Sequence, residues 1–426
     1  MSKQLLLNCR IFDVNTQKVL EGQSILINGS HIKKVGRSKD VLDLGKGIPQ
    51  TARIELAGRL VMPGLIDTHV HLCVIQASSG TETLLENLRA SETLRVLYGA
   101  RNARETLESG FTTVRDMGGG DNFALRDAIG RGVALGPRIV ACAWLGMTGG
   151  QQERVVSEWS YNVPTRGANV GVDGPWEVRK KVRQLVGQGA DCIKVFASGE
   201  GYVRHPFDPF WMEGRNYTLE ELKALVDEAH SAGRRVAAHA LASSEGIKNA
   251  IAAGADTLEH GLYLDDEDVA AMTAKGIFYV PTLAVIRQMW DPSEAAVDGY
   301  SEMSIEEGER KKLLDAHLAS FQRARKYGVR IAVGSDTYRV MKQGDNTIEL
   351  EWMVKAGMSA REALVSATKT ASEALGIESM VGSIEEGKIA DLLVVDPSPL
   401  DDISVLRNRM NLKMIIKNGE IIVSRL

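Results

Sequence analysis

The sequence predicts a mixed α/β fold: a (β/α)8 barrel of the TIM type with a small β-sandwich domain built from both termini. Two observations predict it. Strand-like runs with Asn-Gly turns occupy both ends of the chain, and a helix–glycine–strand pattern recurs between them. Six segments share this pattern and two further apolar runs complete eight βα units over somewhat more than 300 residues, which is typical of a closed barrel with elaborated loops. A doubly wound open sheet is the alternative, but no Gly-x-Gly-x-x-Gly follows the first strand of the repeating region.

Each end of the chain contains hairpin signals but too few strands for a core of its own. Near the start, an apolar run at 24–27 leads into Asn28-Gly29, the strongest short hairpin signal. Strand-like residues also surround Asn418-Gly419 near the other end. The two ends are therefore expected to pair into one domain. The predicted division is a β-sandwich domain from 1–59 and 385–426, and a barrel domain over 60–384.

The barrel strands are predicted from short, continuous apolar runs, as expected for parallel strands buried on both faces. Six of the eight runs follow a glycine placed where a helix would end in the left-handed conformation. Thr218 with Glu221, and Ser359 with Glu362, have the spacing of a capping box at a helix start. The predicted strands are 61–67, 111–115, 138–142, 192–196, 236–239, 257–260, 277–281 and 329–334.

The amino-acid composition limits the kinds of molecule that the protein is expected to bind. The 426 residues carry a formal net charge of −4, which gives no electrostatic reason to expect nucleic acid or an anionic membrane. Four scattered cysteines without a Cys-x-x-Cys do not form a disulfide framework. No secretory signal and no long apolar span are present. We expect a soluble, cytoplasmic protein that acts on a small molecule; homo-oligomer formation stays open.

Metal-ligating residue types follow several of the predicted strands. His69 and His71 are two residues apart in extended backbone, so both imidazoles point to one face. A His-x-His alone is weak evidence. However, His239 ends the fifth strand, His260 ends the sixth, and Asp336 follows the eighth. All of them are expected at the carboxyl-terminal mouth of the barrel, where barrel enzymes place their sites.

Lys194 lies within the fourth predicted strand, among apolar residues. A lysine there is costly unless its charge is paired or removed. An inward lysine with an Asp or Glu partner would satisfy this condition. Carbamylation by carbon dioxide would also satisfy it, because the cation becomes a carboxylate that can bridge two metal ions. The residues themselves leave both interpretations open.

Together these residues resemble the amidohydrolase superfamily, and the resemblance covers almost the whole chain. It implies a binuclear centre, usually of zinc, with a carbamylated Lys194. Relatives with a single metal lack the bridging lysine, so Lys194 favours two ions. The motifs are Met-Pro-Gly-Leu-Ile-Asp-Thr-His-Val-His at 62–71, Ala238-His239, Leu-Glu-His-Gly at 258–261, Gly-Ser-Asp at 334–336 and Gly-Lys-Ile-Ala-Asp-Leu-Leu-Val-Val at 387–395. The implied ligands are His69, His71, Asp336 and the Lys194 carbamate for one ion, and that carbamate, His239 and His260 for the other.

Within the superfamily, the chain is most similar to metal-dependent dipeptidases: prolidases and peptidases that release C-terminal Arg or Lys. The shared cues are residues 193–199 and 217–222. The resemblance implies that a metal-bridging hydroxide attacks the amide carbon of a dipeptide (Xaa-Pro or related) or of an N-acyl amino acid. Asp336 is the expected catalytic residue, because it can take the hydroxide proton and deliver it to the leaving nitrogen.

Candidate substrate-binding residues lie on or near loops at the mouth. Tyr217, Arg204 and His205 are expected to bind the terminal carboxylate of a dipeptide. Many relatives in this branch carry Thr-Gly-Gly-His after the third strand, whereas Gln151 follows Thr-Gly-Gly here, and glutamine cannot become a cation or shuttle a proton. The candidates are Tyr217, His205, Gln151 and Arg204.

Other functions fit the same metal site. It could open a cyclic amide or lactone, or hydrolyse a phosphoester. Deamination fits less well, since deaminating relatives generally use one metal. A catalytically silent scaffold is a distant alternative, because silent versions usually lose ligands and all six are present.

Overall fold

The computed structural model describes residues 3–44, 48–78, 80–147, 171–199, 215–241, 243–290, 307–338 and 341–426. The β-strands are β1 (Lys3–Asp13), β2 (Lys18–Asn28), β3 (His31–Arg37), β4 (Arg53–Glu55), β5 (Leu60–Pro63), β6 (Leu65–Val70), β7 (Phe111–Asp116), β8 (Arg138–Leu145), β9 (Cys192–Phe196), β10 (Arg235–Ala240), β11 (Thr257–His260), β12 (Phe278–Val280), β13 (Leu392–Val395), β14 (Leu412–Lys417) and β15 (Glu420–Ser424).

The helices lie mostly between consecutive barrel strands. Three short 3₁₀ helices, Gln50–Ala52, Ile403–Arg407 and Arg409–Asn411, accompany the sheet formed by the two ends of the chain. The α-helices are α1 (Ser38–Leu44), α2 (Gly80–Arg89), α3 (Glu92–Glu108), α4 (Asn122–Gly130), α5 (Gly174–Gly187), α6 (Leu219–Ser231), α7 (Ser244–Ala253), α8 (Asp266–Lys275), α9 (Leu283–Trp290), α10 (Glu307–Lys326), α11 (Ile348–Lys355), α12 (Ala360–Ser366) and α13 (Lys369–Leu375).

Both ends of the chain contribute to one eight-stranded sheet, as predicted. Its strand order is β15-β14-β13-β5-β1-β2-β3, and β4 pairs with β1 beside this path. β5 is the junction, since it runs parallel to β1 and antiparallel to β13. The buried core of the sheet draws on both ends, for example Leu6, Ile25, Val394 and Ile416.

Seven parallel strands, β6 to β12, form a nearly closed barrel in chain order, and the predicted fold class is confirmed. The predicted eighth strand is not a regular strand. It pairs through single bridges, Ile331 with Tyr279 and Thr337 with Val70. Individual backbone bonds complete the closure: the Thr68 nitrogen donates to the Val333 oxygen, and the Ala332 nitrogen donates to the Tyr279 oxygen. The Val333 nitrogen instead donates to the Ser366 oxygen, in α12. Because part of this segment bonds to a helix residue, it cannot keep a continuous ladder with both neighbouring strands.

The predicted first strand, 61–67, is two strands that belong to different sheets. β5 ends at Pro63 and β6 begins at Leu65, with Gly64 between them. A Cβ at Gly64 would lie 2.6 Å from Cγ2 of Thr112, so only glycine fits where the chain crosses from one sheet to the other. A continuous apolar run could not reveal this division, since the residues on both sides are buried.

The helix starts are confirmed. The Thr218 hydroxyl accepts from the Glu221 nitrogen and the Glu221 side chain accepts from the Thr218 nitrogen; Ser359 and Glu362 form the same reciprocal pair. All four cysteines are buried and free. Among the helices that the structure describes, none is long and apolar enough to cross a membrane.

Candidate metal centre

Four histidines from three barrel strands lie together at the carboxyl-terminal mouth. His69 is in β6 and His71 follows it, while His239 is in β10 and His260 ends β11. The ring centroids of His69 and His71 are 5.5 Å apart, those of His69 and His260 5.1 Å, and those of His239 and His260 4.5 Å. The barrel topology thus brings together residues separated by up to about 190 positions in the sequence.

Asp336 adds a carboxylate to this group. Its Oδ1 lies 3.4 Å from Nε2 of His71 and 3.6 Å from Nε2 of His69, which is longer than a usual N–H···O hydrogen bond. Ligand atoms of His69, His260 and Asp336 all lie within 4.8 Å of one another. Imidazole nitrogens and a carboxylate at such separations are suited to share one divalent cation.

Three buried polar atoms at the mouth have no hydrogen-bond partner among the residues that the structure describes. They are Nζ of Lys194, Nε2 of His239 and Oδ1 of Asp336. Buried polar groups in folded proteins are ordinarily bonded, so such atoms need a partner. A divalent metal would satisfy His239 and Asp336, and carbamylation of Lys194 would replace its buried positive charge with a carboxylate that could bind a metal. The donor set therefore fits the metal centre that the sequence predicted.

The histidines are in the protonation state that a metal requires. Burial is the largest cause that lowers the pKa of His69, His239 and His260 well below the ordinary value. The imidazoles are therefore neutral near pH 7, and neutral nitrogens bind metals.

The two other ionisable groups are shifted by burial and by their neighbours. Burial alone would raise the pKa of Asp336, but His69, His71 and Lys194 outweigh it and hold that pKa at about 2. Asp336 is thus an anion at neutral pH. Burial lowers the pKa of Lys194, against the opposing attraction of Glu259 and Asp336. The neutral amine that carbamylation needs is favoured by this environment.

The second nitrogen of three of the histidines is held by a specific partner. Nδ1 of His69 lies 2.8 Å from Oε2 of Glu259. Nδ1 of His71 lies 2.7 Å from the Gly118 carbonyl oxygen, and Nδ1 of His260 lies 2.9 Å from Oγ1 of Thr282. Each contact leaves Nε2 for the metal, and such outer partners orient the ligands of metal centres. Sequence reasoning did not identify these partners.

Two of the candidate ligand residues have left-handed backbone, with φ of +70° at His260 and +51° at Asp336. This conformation is uncommon outside glycine and clusters at functional sites. The His260 carbonyl oxygen is held in place by two donors: the Tyr279 hydroxyl at 2.8 Å and Nε2 of the buried His317 at 3.1 Å. These two contacts hold the left-handed backbone of His260 in place.

Aromatic rings border the histidines. Tyr338 lies 5.0 Å from the His71 ring and Trp144 lies 6.2 Å from it, measured between centroids. Phe196 bridges Trp144 and His239, at 5.7 Å and 5.3 Å. We refer to Trp144, Phe196 and Tyr338 as the aromatic wall. It offers apolar surface next to the proposed metal ligands.

The predicted substrate-binding residues are only partly covered by the structure. Gln151, Arg204 and His205 lie outside the described residues. Tyr217 is fully buried, and its hydroxyl donates a hydrogen bond of 3.2 Å to the Val172 carbonyl. It packs in the main core between the barrel and its helices. A contact between Tyr217 and substrate stays a prediction.

Comparison with known proteins supports this picture. The amidohydrolase family matches residues 60–422, an interval that contains every candidate metal ligand. Ochratoxinase from Aspergillus niger is 31% identical over 94% of this chain and 83% of its own length. The crystal structure of a Xaa-Pro dipeptidase with methionine in the active site is 32% identical, covers 99% of both chains and superimposes with a TM-score of 0.83. The structure of a prolidase complexed with N-methylphosphonate-L-proline is 29% identical over all of both chains, also with a TM-score of 0.83.

Proposed function

Because the chain belongs to the amidohydrolase family, and is therefore a hydrolase that acts on C–N bonds, we propose that it cleaves a dipeptide, Xaa-Pro or related, or an N-acyl amino acid. One observation carries the proposal: buried atoms of Lys194, His239 and Asp336 that have no hydrogen-bond partner within the described part of the chain lie at the barrel mouth, beside three further histidines.

This chain would hold two divalent ions, and zinc is the metal we propose. One would take His69, His71 and Asp336, the other would take His239 and His260, and a carbamate on Lys194 would bridge them. When bound, two such ions lower the pKa of a water to give a nucleophile near neutral pH and polarise the scissile carbonyl. Carbamylation forms a bond between Nζ of Lys194 and the carbon of carbon dioxide and releases one proton.

Asp336 would move the proton. Its carboxylate is ionised at neutral pH, and its Oδ1 lies among the ligand nitrogens. From that position it would accept the proton of the attacking water and deliver it to the amide nitrogen as the C–N bond breaks. The proton thus ends on the leaving amine, and the water oxygen ends in the new carboxylate.

The substrate class rests on the relatives and on the aromatic wall. A Xaa-Pro dipeptidase and a prolidase with a proline phosphonate have folds similar to this one. Trp144, Phe196 and Tyr338 would pack against an apolar substrate side chain next to the reacting carbonyl. Tyr217, His205 and Arg204 are the proposed contacts for the substrate's terminal carboxylate, and Gln151 is a further proposed substrate contact.

The test combines metal analysis with a substrate screen. Protein grown in metal-replete medium should contain about two equivalents of divalent metal per chain. It should release free amino acid from members of a panel of dipeptides and N-acetyl amino acids. The matched control is the His69→Asn, His71→Asn double variant, which should lose metal and activity while staying folded.

The outcomes separate the alternatives. Cleavage of lactones, cyclic amides or phosphoesters, with no cleavage of any linear amide, would overturn the proposed substrate class. A protein that takes up no metal under these conditions would instead be a silent scaffold.

A further inference from the structure

A buried ion pair crosses the barrel interior beneath the metal centre. Nη2 of Arg115, in β7, lies 2.7 Å from Oε1 of Glu259, in β11, and the two side chains are 1% and 0% exposed. These strands are not neighbours in the sheet, whose order places β8, β9 and β10 between them. The ion pair therefore spans the inside of the barrel rather than its wall.

Each group of the pair is held by further contacts. Nε of Arg115 donates to the Thr68 carbonyl at 2.7 Å, and Nη1 donates to Oγ1 of Thr257 at 3.0 Å. The Thr257 hydroxyl in turn donates to Oε1 of Glu259. The remaining oxygen, Oε2 of Glu259, lies 2.8 Å from Nδ1 of His69. Arg115, Glu259 and His69 thus form one continuous chain of contacts that ends at a proposed metal ligand.

Stability alone does not account for this arrangement. Taking two charges out of water costs free energy, and apolar packing of the same volume is often equally stable or more stable. The geometry has a specific chemical consequence instead. A carboxylate cannot donate, so a neutral His69 facing Glu259 must carry its proton on Nδ1 and present the lone pair of Nε2.

We propose that Glu259 and Arg115 are positioning residues for the metal centre. Glu259 fixes the tautomer and ring orientation of His69, and Arg115 fixes Glu259. The planar guanidinium makes three directed contacts that an ammonium could not reproduce. The inference rests on the proposed function, since it assigns the residues that keep one of its metal ligands ready to bind.

The first experiment needs no substitution in the pair. Nitrogen NMR of ¹⁵N-histidine-labelled, metal-free protein reports which ring nitrogen of each histidine is protonated, and a His69→Gln sample identifies the His69 signals. We expect the proton on Nδ1 of His69. A proton on Nε2 would overturn the proposal.

The second experiment measures metal affinity rather than activity. Binding of Co²⁺ and Zn²⁺ is measured by competition with a chromophoric chelator, and the visible absorption of bound Co²⁺ reports the ligand geometry. Glu259→Gln should bind about 10- to 100-fold more weakly and with an altered Co²⁺ spectrum. Arg115→Lys keeps the positive charge and should give a smaller loss of the same kind.

Asp391→Asn is the matched control. Asp391 forms another mostly buried ion pair, at 2.6 Å from Arg138, where β8 begins and thus at the end of the barrel opposite the mouth. The control should lower the urea midpoint of unfolding and leave the dissociation constant for Co²⁺ unchanged.

The results distinguish failure of the inference from failure of the proposed function. If wild-type protein binds neither Co²⁺ nor Zn²⁺, the proposed function fails. If wild-type protein binds metal and Glu259→Gln or Arg115→Lys binds it equally well, only the positioning inference fails. Should Glu259→Gln not fold, Arg115→Lys and the tautomer of wild-type His69 decide the matter.

Discussion

The backbone nitrogen of Asp336 donates a hydrogen bond to the carbonyl oxygen of His69, with a nitrogen–oxygen distance of 2.7 Å. This bond joins the residues just after the eighth barrel segment to the end of β6, the first barrel strand. It also fixes the carboxylate of Asp336 next to the imidazole of His69, at 3.6 Å. Closure of the barrel and assembly of the proposed metal centre therefore depend on the same contact.

Gly334→Ala should disturb both the closure of the barrel and the proposed metal centre. A Cβ at Gly334 would collide with the Val280 side chain and lie 2.8 Å from Cβ of His69. Overpacking of this kind costs about 1–3 kcal/mol, and it should also weaken metal binding because Asp336 is displaced. The control is Gly187→Ala at the end of α5, where an added Cβ would have no neighbouring atom within 4 Å. Equal urea midpoints and metal affinities in the two variants would contradict the prediction.

Asp336→Asn should separate metal binding from turnover. The amide can still offer an oxygen ligand, but it cannot accept the proton of the attacking water. We expect the variant to retain bound metal while kcat falls about 100- to 10,000-fold. The control is Asp315→Asn, at an exposed ion pair with Lys311. Near-normal turnover by a metal-loaded Asp336→Asn protein would rule out the proposed proton transfer.

Lys194→Met should abolish the binuclear centre. Methionine fills a similar volume without charge, so the fold should persist, but no carbamate can bridge the two ions. We expect at most one equivalent of metal per chain, measured by elemental analysis, and loss of amide hydrolysis. The control is Lys311→Met, in a side chain that is 76% exposed. Two equivalents of metal in the Lys194 variant would show that no bridging carbamate is needed.

The buried His317 should make the metal-free protein sensitive to acid. Burial lowers its pKa from 6.5 to about 4. Below about pH 6.5 the imidazole therefore binds a proton in the unfolded chain but stays neutral in the folded protein. The free energy of unfolding falls as the pH approaches 4. His317→Gln keeps a donor for the His260 carbonyl and does not titrate. From about pH 7 to pH 5, the free energy of unfolding measured with urea should fall by on the order of 2 kcal/mol more in wild-type protein than in the variant. Parallel pH profiles would refute this role.

The candidate metal ligands could be predicted from the sequence because each lies at a fixed position relative to a strand. His239 and His260 end short apolar runs, and parallel strands bring their carboxyl ends to one face. Lys194 stood out as a charge within a buried strand. Arg115 in β7 and Glu259 in β11 are likewise charged residues within buried strands, so the sequence could have indicated that they matter. Their pairing across the barrel could not be predicted from the sequence.

Other features are invisible in the sequence because they depend on backbone atoms or on strand pairing. The Gly118 carbonyl that orients His71 is one example, since any residue type carries a carbonyl oxygen. The eighth barrel segment is another. Its apolar run from 329 to 334 predicts a regular strand, whereas its hydrogen bonds are shared between the barrel strands and Ser366.

The position of β5 has a consequence for the order in which the molecule can fold. β5 lies between β1 and β13, and β13 follows it by about 330 residues. The barrel can begin to form as its strands emerge during synthesis, but the sheet attached to its first strand stays incomplete until the final segment of the chain is made. Contacts this distant in sequence form slowly. We expect a partly finished chain to expose the apolar edge of β5, which makes this strand a point where chaperones would act.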